Sequence, residues 1–295
     1  MKMETVAMLS PGEMGHSVAA ILVNNGLRVV TCLEGRSQRT IKLAEKAGII
    51  NLPTLEDVVT ESQLILSVVT SSAAPGVGSA VAEAISRTGQ GVLFAEANSI
   101  APMTSEDIGK TITAAGGRYI DACIIGPANE LDTITVLYAS GPYAYEFAEL
   151  GKYGLNVEVL GDSIGQASAF KMMYAGMTKG ISSLAVELLV TAYSIGIFDE
   201  IMEKYRHDKP ELVGFIESIL PGLPFRAGRR SEEMAELVPV IKNEGFIPCM
   251  ASGSQEVLKM IGDLNFRSQY SDDDEAGWSL KDAVGIMSRG LKKNG

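Results

Sequence analysis

A single lysine lies among small and apolar residues in the stretch GQASAFKMMYAG, residues 165–176. If the stretch is helical, Lys171 shares a face with residues three and four positions away, which are small or carry a hydroxyl group, such as Ser168. A lysine that is shielded from water has a lowered pKa and can exchange a proton with a hydroxyl, carbonyl or imine group. The alternative is a lysine whose stem crosses apolar surface while its ammonium group stays in water.

Other residues of the same helix suggest further roles. A second, apolar face, which we expect to seat the helix in the core, is formed by Phe170, Met173, Met177 and Ile181. Tyr174 is a candidate hydrogen-bond donor to the reacting oxygen or nitrogen, or else a tyrosine that covers the core. Lys179, two turns after the first lysine, is a candidate ligand for an anionic group of a substrate.

A glycine-rich turn near the start of the chain suggests a nucleotide. The segment TVAMLSPGEMGHSV has the pattern of a strand, a tight turn and a helix. Compared with the GxGxxG pattern, Ser10 replaces the first glycine, whereas Gly12 and Gly15 match the second and third. We predict that residues Ser10, Gly12, Glu13, Met14 and Gly15 bind a dinucleotide pyrophosphate at the start of the helix. The alternative is an ordinary turn that requires glycine for its backbone angles.

The end of the second strand should decide which dinucleotide binds. It reads TCLEGRSQRT, about 20 residues after the glycine-rich turn, where the adenosine ribose is expected. Glu34 would favour the 2′-hydroxyl group of NAD, whereas Arg36, Ser37 and Arg39 form a donor cluster suited to the 2′-phosphate of NADP. We therefore predict NADP, with NAD possible. The alternative is that the two arginines are solvated loop residues.

Alternating strand and helix patterns predict a doubly wound α/β domain over residues 1–162. The strand pattern then stops, and residues 164–195 read as one long helix followed by shorter ones, so we predict an all-α domain over residues 163–295. The predicted strands are Thr5–Leu9, Arg28–Leu33, Leu64–Val69, Val92–Ala95, Tyr119–Ile125, Thr133–Ala139 and Val157–Leu160.

Composition narrows the classes of partner. The formal net charge of −11 repels phosphate backbones and anionic lipids, so we expect neither nucleic acid nor a membrane as a partner. The three cysteines are scattered, without the spacing of a disulfide framework or a zinc site, which indicates a cytoplasmic protein without a bound metal. The run SDDDEAGW, residues 271–278, lacks the spaced ligands of a calcium loop and reads as an acidic cap.

Four ordered blocks give the chain a resemblance to the β-hydroxyacid dehydrogenase superfamily, which includes 6-phosphogluconate dehydrogenase, 3-hydroxyisobutyrate dehydrogenase and the imine reductases. The glycine-rich turn is the first block, and FAEANSIAP, residues 94–102, is the second. The second block is similar to the segment that touches nicotinamide in the family, which implies cofactor contacts for Asn98 and Ser99. We also assign Val69 and Thr70, at the end of the third predicted strand, to the cofactor.

The third block, YIDACIIGPANE, is similar to the substrate-binding segment of the family and implies that role for Asp121, Ile125 and Gly126. The fourth is GQASAFKMMYAG, in which Lys171 matches the catalytic lysine of the family. Ala175 stands where the family usually has asparagine, so the substrate clamp differs and a sugar-acid phosphate is not expected. Other details resemble a less characterised branch of NADP-binding oxidoreductases with a short helical C-terminal domain.

Arg229 and Arg230 lie just before a predicted helix and are candidates to bind a substrate carboxylate across a dimer. The predicted second domain is a long apolar helix followed by about 100 residues, which would bury only a small hydrophobic core on its own. We therefore predict a homodimer. The predicted function is an NADP-dependent dehydrogenase or reductase of a small β-hydroxy acid or related carbonyl compound, with Lys171 as the general acid or base. The alternatives are an imine reductase and a sensor that binds NADP without turnover.

Overall fold

The structure, a computed structural model, describes residues 3–270 and 277–294, with side chains through residue 292. Residues 271–276, most of the predicted acidic cap, lie outside the described residues. The chain divides into two compact units between Met172 and Met173. The predicted domain boundary falls earlier, after residue 162, so the first turns of the long helix belong to the first unit.

An eight-stranded sheet forms the centre of the first unit, with the strand order β3-β2-β1-β4-β5-β6-β7-β8. Neighbouring strands are parallel except for β6 and β7, which are antiparallel. Because β1 to β6 run in the same direction, their carboxyl ends lie along one edge of the sheet. The strands are β1 (Thr5–Leu9), β2 (Arg28–Cys32), β3 (Ile50–Leu52), β4 (Leu64–Ser67), β5 (Leu93–Glu96), β6 (Arg118–Ile125), β7 (Val136–Ser140) and β8 (Val157–Gly161).

Aliphatic residues on both faces of the strands bury the sheet between two layers of helices. In β1, Val6 and Met8 belong to one hydrophobic core, whereas Ala7 and Leu9 belong to the other. This arrangement confirms the predicted doubly wound Rossmann-type sheet. The helices of this unit are α1 (Glu13–Asn24), α2 (Gln38–Lys46), α3 (Leu55–Glu61), α4 (Ala74–Thr88), α5 (Pro102–Ala114) and α6 (Ala144–Phe147), with short 3-10 helices at Ser71–Ala73 and Ala148–Tyr153.

One strand was absent from the prediction, and one was shifted. Strand β3 has only three residues, of which Ile50 is 46% exposed, and Asn51 accepts a hydrogen bond from the N–H of Leu33 at 2.9 Å. An edge strand of three residues is too short to give a recognisable strand pattern in the sequence. Strand β7 was predicted to start at Thr133, but hydrogen bonds back to Glu130 hold residues 133–135 in the preceding turn.

Helix α7 (Gln166–Ile195) confirms the predicted long helix. In the second unit, the residues that the structure describes form helices and no strand, as predicted. These helices are α8 (Phe198–Asp208), α9 (Pro210–Ile219), α10 (Ala227–Asn243), α11 (Cys249–Asp263) and α12 (Leu280–Asn294), with a 3-10 turn at Phe266–Ser268.

The apolar face of α7 does not lie in the core, so that prediction is wrong. Phe170, Met173 and Met177 are 41%, 50% and 68% exposed. Small residues make the close contacts instead: a Cβ added to Gly176 would lie 2.5 Å from Cδ2 of Leu237 on α10. Other apolar residues of α7, among them Met172, Val186 and Leu189, are buried, so the helix packs largely through positions outside the predicted face, of which Ile181 is half-buried.

Among residues 3–270 and 277–294, no helix is both long and apolar enough to cross a membrane. The same ranges contain no cluster of three or more His, Cys, Asp or Glu side chains that could hold a metal ion. The cysteines Cys32, Cys123 and Cys249 are all free thiols.

Candidate active site

The turn between β1 and α1 has the features of a phosphate site. Ser10 has a positive φ of 51°, and its buried Oγ has no hydrogen-bond partner within the described part of the chain. Gly12 is the N-cap residue of α1, and no side chain caps the helix there. The first N–H groups of a helix need acceptors and carry a partial positive charge. The turn therefore fits a dinucleotide phosphate.

The last glycine of the turn lies in tight packing against the sheet. A Cβ added to Gly15 would lie 3.3 Å from Sδ of Met8 and 3.7 Å from Cβ of Val68. Glycine thus lets α1 approach the sheet closely, which is the role expected of the third glycine. Met14 packs against the core, and Glu13 is exposed in the first turn of α1. Contact of these residues with a cofactor stays a prediction.

The predicted ribose-binding residues surround the start of α2. Ser37 caps this helix, because its Oγ accepts the N–H of Thr40 at 3.2 Å. Arg36 and Arg39 are exposed on either side of the cap, after Gly35 with its positive φ of 70°. The cap already engages the serine hydroxyl, but two guanidinium groups and the positive end of α2 remain suited to a phosphate.

Asn98 joins the ends of two strands. Its side-chain oxygen accepts the backbone N–H of Val69, after β4, and its amide group donates to Glu96 and to Oγ of Ser67. Because these bonds use its buried side chain, a nicotinamide contact through the amide group is not favoured. The residue instead fixes the end of β4 beside the end of β5.

The loop after β4 is tied to the same region. Ser71 donates its hydroxyl to the carbonyl oxygen of Ser99 at 2.7 Å. Thr70 is exposed at the start of the short 3-10 helix, where its side chain makes no capping bond. The structure therefore brings Val69, Thr70, Asn98 and Ser99 together, as the prediction of a shared cofactor site requires.

Glu96 was missed by the sequence interpretation. It is fully buried at the end of β5, and its Oε2 has no hydrogen-bond partner among the described residues. Its pKa is raised to about 8, chiefly because burial disfavours the charged form. Hydrogen bonds from Asn98 and Ser67 act in the opposite direction, and the negative charge of Asp121 adds to the rise. A carboxyl group inside the apolar run LFAEA was the available signal. Buried carboxyl groups with raised pKa values are common at functional sites.

Asp121 is fully buried in β6 and binds the start of α7. Its Oδ2 accepts the N–H groups of Gly165 and Ser168, each at 3.0 Å, and its Oδ1 accepts the hydroxyl of Ser168 at 2.6 Å. Hydroxyl groups of Ser105 and Ser140 complete the set at 2.8 and 3.1 Å. A direct substrate contact of Asp121 stays a prediction, and these five bonds favour a positioning role.

Lys171 lies one helical turn beyond this contact. It is half-buried, and its positive charge lies near Cys123 on β6, two residues from Asp121. Burial raises the pKa of the Cys123 thiol to about 12, and the charge of Lys171 opposes that rise. Tyr174 follows in the second unit, where its side chain is exposed.

The third block includes a glycine that no other residue can replace without strain. Gly126 follows Ile125 at the end of β6 with a φ of 133°, and an added Cβ would lie 2.2 Å from Oγ1 of Thr135. The hydroxyl of Thr135 in turn donates to the carbonyl oxygen of Pro127 at 2.7 Å. Gly126 is thus needed for the β6–β7 turn, whereas Ile125 is half-buried at its edge.

In the second unit, the predicted anion ligands cluster around one carboxylate. The buried Lys179 forms an ion pair with Glu233 at 2.7 Å, and Arg229 lies 3.6 Å from the same carboxylate. The pKa of Lys179 is lowered, chiefly by burial. The negative charge of Glu233 opposes this shift, and the positive charges of Arg230 and Arg229 add to it. Burial also lowers the pKa of Arg230. Three cations thus lie near Glu233, and their contact with a substrate anion stays a prediction.

Comparison with known proteins agrees with this geometry. Residues 5–152 match the family model for the NAD binding domain of 6-phosphogluconate dehydrogenase. A solved structure of a conserved protein of unknown function, described as structurally similar to 3-hydroxyacid dehydrogenases, is 31% identical, with 88% of this chain and 97% of that chain covered and a TM-score of 0.67. This chain belongs to the β-hydroxyacid dehydrogenase superfamily.

Two further proteins are similar to this chain over most of its length. An uncharacterized 28.5 kDa protein of Methanothermus fervidus is 26% identical over 257 residues, which are 87% of this chain and 98% of that protein. The 3-hydroxyisobutyrate dehydrogenase of Mycobacterium tuberculosis shares the fold at 13% identity, with coverage of 97% and 99% and a TM-score of 0.69. As a β-hydroxyacid dehydrogenase homologue, the protein belongs to a family of dinucleotide-binding oxidoreductases.

Proposed function

We propose that the protein transfers a hydride between NADP and a small β-hydroxy acid or related carbonyl compound. The observation that carries this proposal is the position of Lys171, half-buried beside β6 and one turn beyond the contact between α7 and Asp121. The same unit contains the glycine-rich turn, whose uncapped helix start fits the phosphates. Bound NADP would supply the hydride acceptor.

The proposed chemistry assigns one task to each group. During oxidation, the substrate carbon loses a hydride and its hydroxyl group loses a proton, which the neutral amine of Lys171 accepts. In the reverse direction the lysine ammonium returns the proton. We assign Tyr174 as a hydrogen-bond donor to the reacting oxygen and Lys179 as a ligand of an anionic substrate group, with Arg229 and Arg230 binding the substrate carboxylate across a dimer.

A substrate panel tests the proposed function. Purified protein is incubated with NADP+ and small β-hydroxy acids, and with NADPH and the matching carbonyl compounds and cyclic imines, while absorbance at the nicotinamide band is followed. We expect turnover of hydroxy acids or carbonyl compounds. Turnover of imines alone would support the imine reductase alternative. Tight NADPH binding with no turnover across the panel would contradict an enzymatic role and favour the sensor.

The arginines at the start of α2 should determine cofactor preference. We expect Arg36→Ala to raise the KM for NADPH about 10- to 100-fold, because one charge-assisted hydrogen bond to a 2′-phosphate contributes about 1.5–3 kcal/mol. The KM for NADH should not change. The control is Arg87→Ala, an exposed arginine paired with Glu56 and Glu83. Equal weakening of both nucleotides would contradict the NADP assignment.

We also propose that the protein is a cytoplasmic homodimer. The exposed apolar residues of α7, with Leu184 and Leu188 continuing the face toward its C-terminal end, support a second copy as the partner that covers them. Three free thiols are compatible with a reducing compartment. Sedimentation equilibrium at micromolar concentration should give twice the mass of the chain, and a monomeric mass would contradict the dimer.

A further inference from the structure

Four strands contribute one buried polar residue each to a continuous row across the sheet. The register pairs Ser67 with Glu96, Glu96 with Asp121, and Asp121 with Ser140 on β4, β5, β6 and β7. All four side chains are fully buried. Sheet interiors are normally apolar, so a polar row of this kind has to be held by hydrogen bonds. One end of the row binds Asn98, beside the predicted cofactor site.

The other end of the row binds the start of α7. Besides the bonds from Gly165 and Ser168 to Asp121, the N–H of Ala167 donates to Oγ of Ser140 at 3.0 Å. Three backbone donors at the helix start, those of Gly165, Ala167 and Ser168, thus find their acceptors on two neighbouring strands. A carboxylate at this place also interacts favourably with the positive end of the helix.

We infer that Asp121 and Ser168 are positioning residues that fix the first turn of α7 on the sheet and thereby set the place of Lys171. The inference rests on the proposed function, because it assumes that Lys171 exchanges the proton. In this role Asp121 acts by holding α7 and does not need to contact a substrate.

The geometry explains why this contact matters for Lys171 in particular. Ser168 precedes the lysine by three residues, so the two lie on neighbouring turns of one helix face, about 4.5 Å apart along the axis. The 2.6 Å bond from the Ser168 hydroxyl to Asp121 restrains both the rotation and the height of this turn. A displacement of about 1 Å in a reacting group can reduce a rate by about 100-fold.

A pair of serine variants tests the inference. Ser168 and Ser105 both donate a hydroxyl to Oδ1 of Asp121, at 2.6 and 2.8 Å, and both are buried, but only Ser168 belongs to α7. We expect Ser168→Ala to lower kcat by about 10- to 100-fold, with the KM of the substrate and the Kd of NADPH within twofold of the original protein. Ser105→Ala, the matched control, should change kcat by less than about threefold.

A second readout does not depend on turnover. Asp121→Asn places an amide group opposite the two N–H donors of Gly165 and Ser168, so we expect the amide protons of α7 near Ser168 to exchange with solvent at least about tenfold faster. Ser105→Ala should leave that exchange unchanged. Slow exchange in Asp121→Asn would overturn the inference whether or not the protein is a dehydrogenase.

The kinetic outcomes separate the two proposals. A raised substrate KM with unchanged kcat in Ser168→Ala would overturn the positioning role, because it would indicate direct substrate binding. Equal losses of kcat in Ser168→Ala and Ser105→Ala would also overturn it, because general loosening of the network would then suffice. If the original protein has no turnover at all, the proposed function fails, and the exchange measurement alone decides whether Asp121 fixes the helix.

Discussion

Replacement of Lys171 by methionine is expected to lower kcat by about 10²- to 10⁴-fold, the range in which positioned acid–base groups contribute to catalysis. Methionine keeps most of the apolar stem that packs in the half-buried site, but it cannot carry a proton. The affinity for NADPH should remain within about twofold, because the turn proposed to bind the phosphates lies between β1 and α1. A loss of chemistry without loss of cofactor binding is the signature of a group that acts in the transition state.

The measurement combines steady-state kinetics with fluorescence titration of NADPH. Lys110→Met is the control, since this lysine is exposed on α5 and paired with Asp107 at 2.7 Å. It should retain full activity. The limb of the pH–rate profile that reports the catalytic lysine should be absent from Lys171→Met and present in Lys110→Met. Full turnover by Lys171→Met would mean that another group transfers the proton.

Sequence patterns were sufficient for the fold because the signals were local. Short β-branched and apolar runs marked the longer strands, and the glycine-rich turn indicated the first strand, turn and helix within about 20 residues. Likewise, the shift to helix-forming residues after Gly161 was visible over many turns. These features depend on backbone geometry and hydrophobic period, which neighbouring residues determine.

The partners of individual polar side chains could not be predicted in this way. Asp121 binds Ser168 from 47 positions away, and Asn98 binds the N–H of Val69 from 29 positions away. The family resemblance implies ligand contacts for both residues, which stay predictions, whereas the hydrogen bonds that join distant elements through them carry no signal in the sequence. A polar residue in a motif therefore needs its distant neighbours before a role can be chosen.

The exposed face of α7 illustrates a second limit. Phe170, Met173 and Met177 are apolar, and hydrophobicity alone predicts burial. The close contact of the helix is made at Gly176 instead, and the three large side chains stay exposed. A single sequence does not distinguish a face that is buried by its own chain from one that is buried by a second copy.

Glu96→Gln is expected to make stability less dependent on pH. The carboxyl group of Glu96 has a pKa of about 8 in the folded protein against 4.5 in an unfolded chain, chiefly because burial disfavours its charged form. Between these values the folded state holds a proton that the unfolded state has released, so the free energy of unfolding falls as pH rises from about 4.5 to 8. One pKa unit corresponds to 1.36 kcal/mol, which gives an upper limit of about 5 kcal/mol.

Glutamine has nearly the same shape, keeps an oxygen to accept from Asn98 and never becomes charged beside Asp121, so it removes this proton linkage. Urea unfolding from pH 5 to pH 9 should give similar stabilities for both proteins at pH 5 and a more stable Glu96→Gln variant at pH 9, by up to several kcal/mol. Glu158→Gln, at an exposed position on β8, is the control and should follow the original protein. If the curves of Glu96→Gln and the original protein are parallel, Glu96 is ionised in the folded state, and a charged carboxylate at the end of β5 must then be compensated by its neighbours.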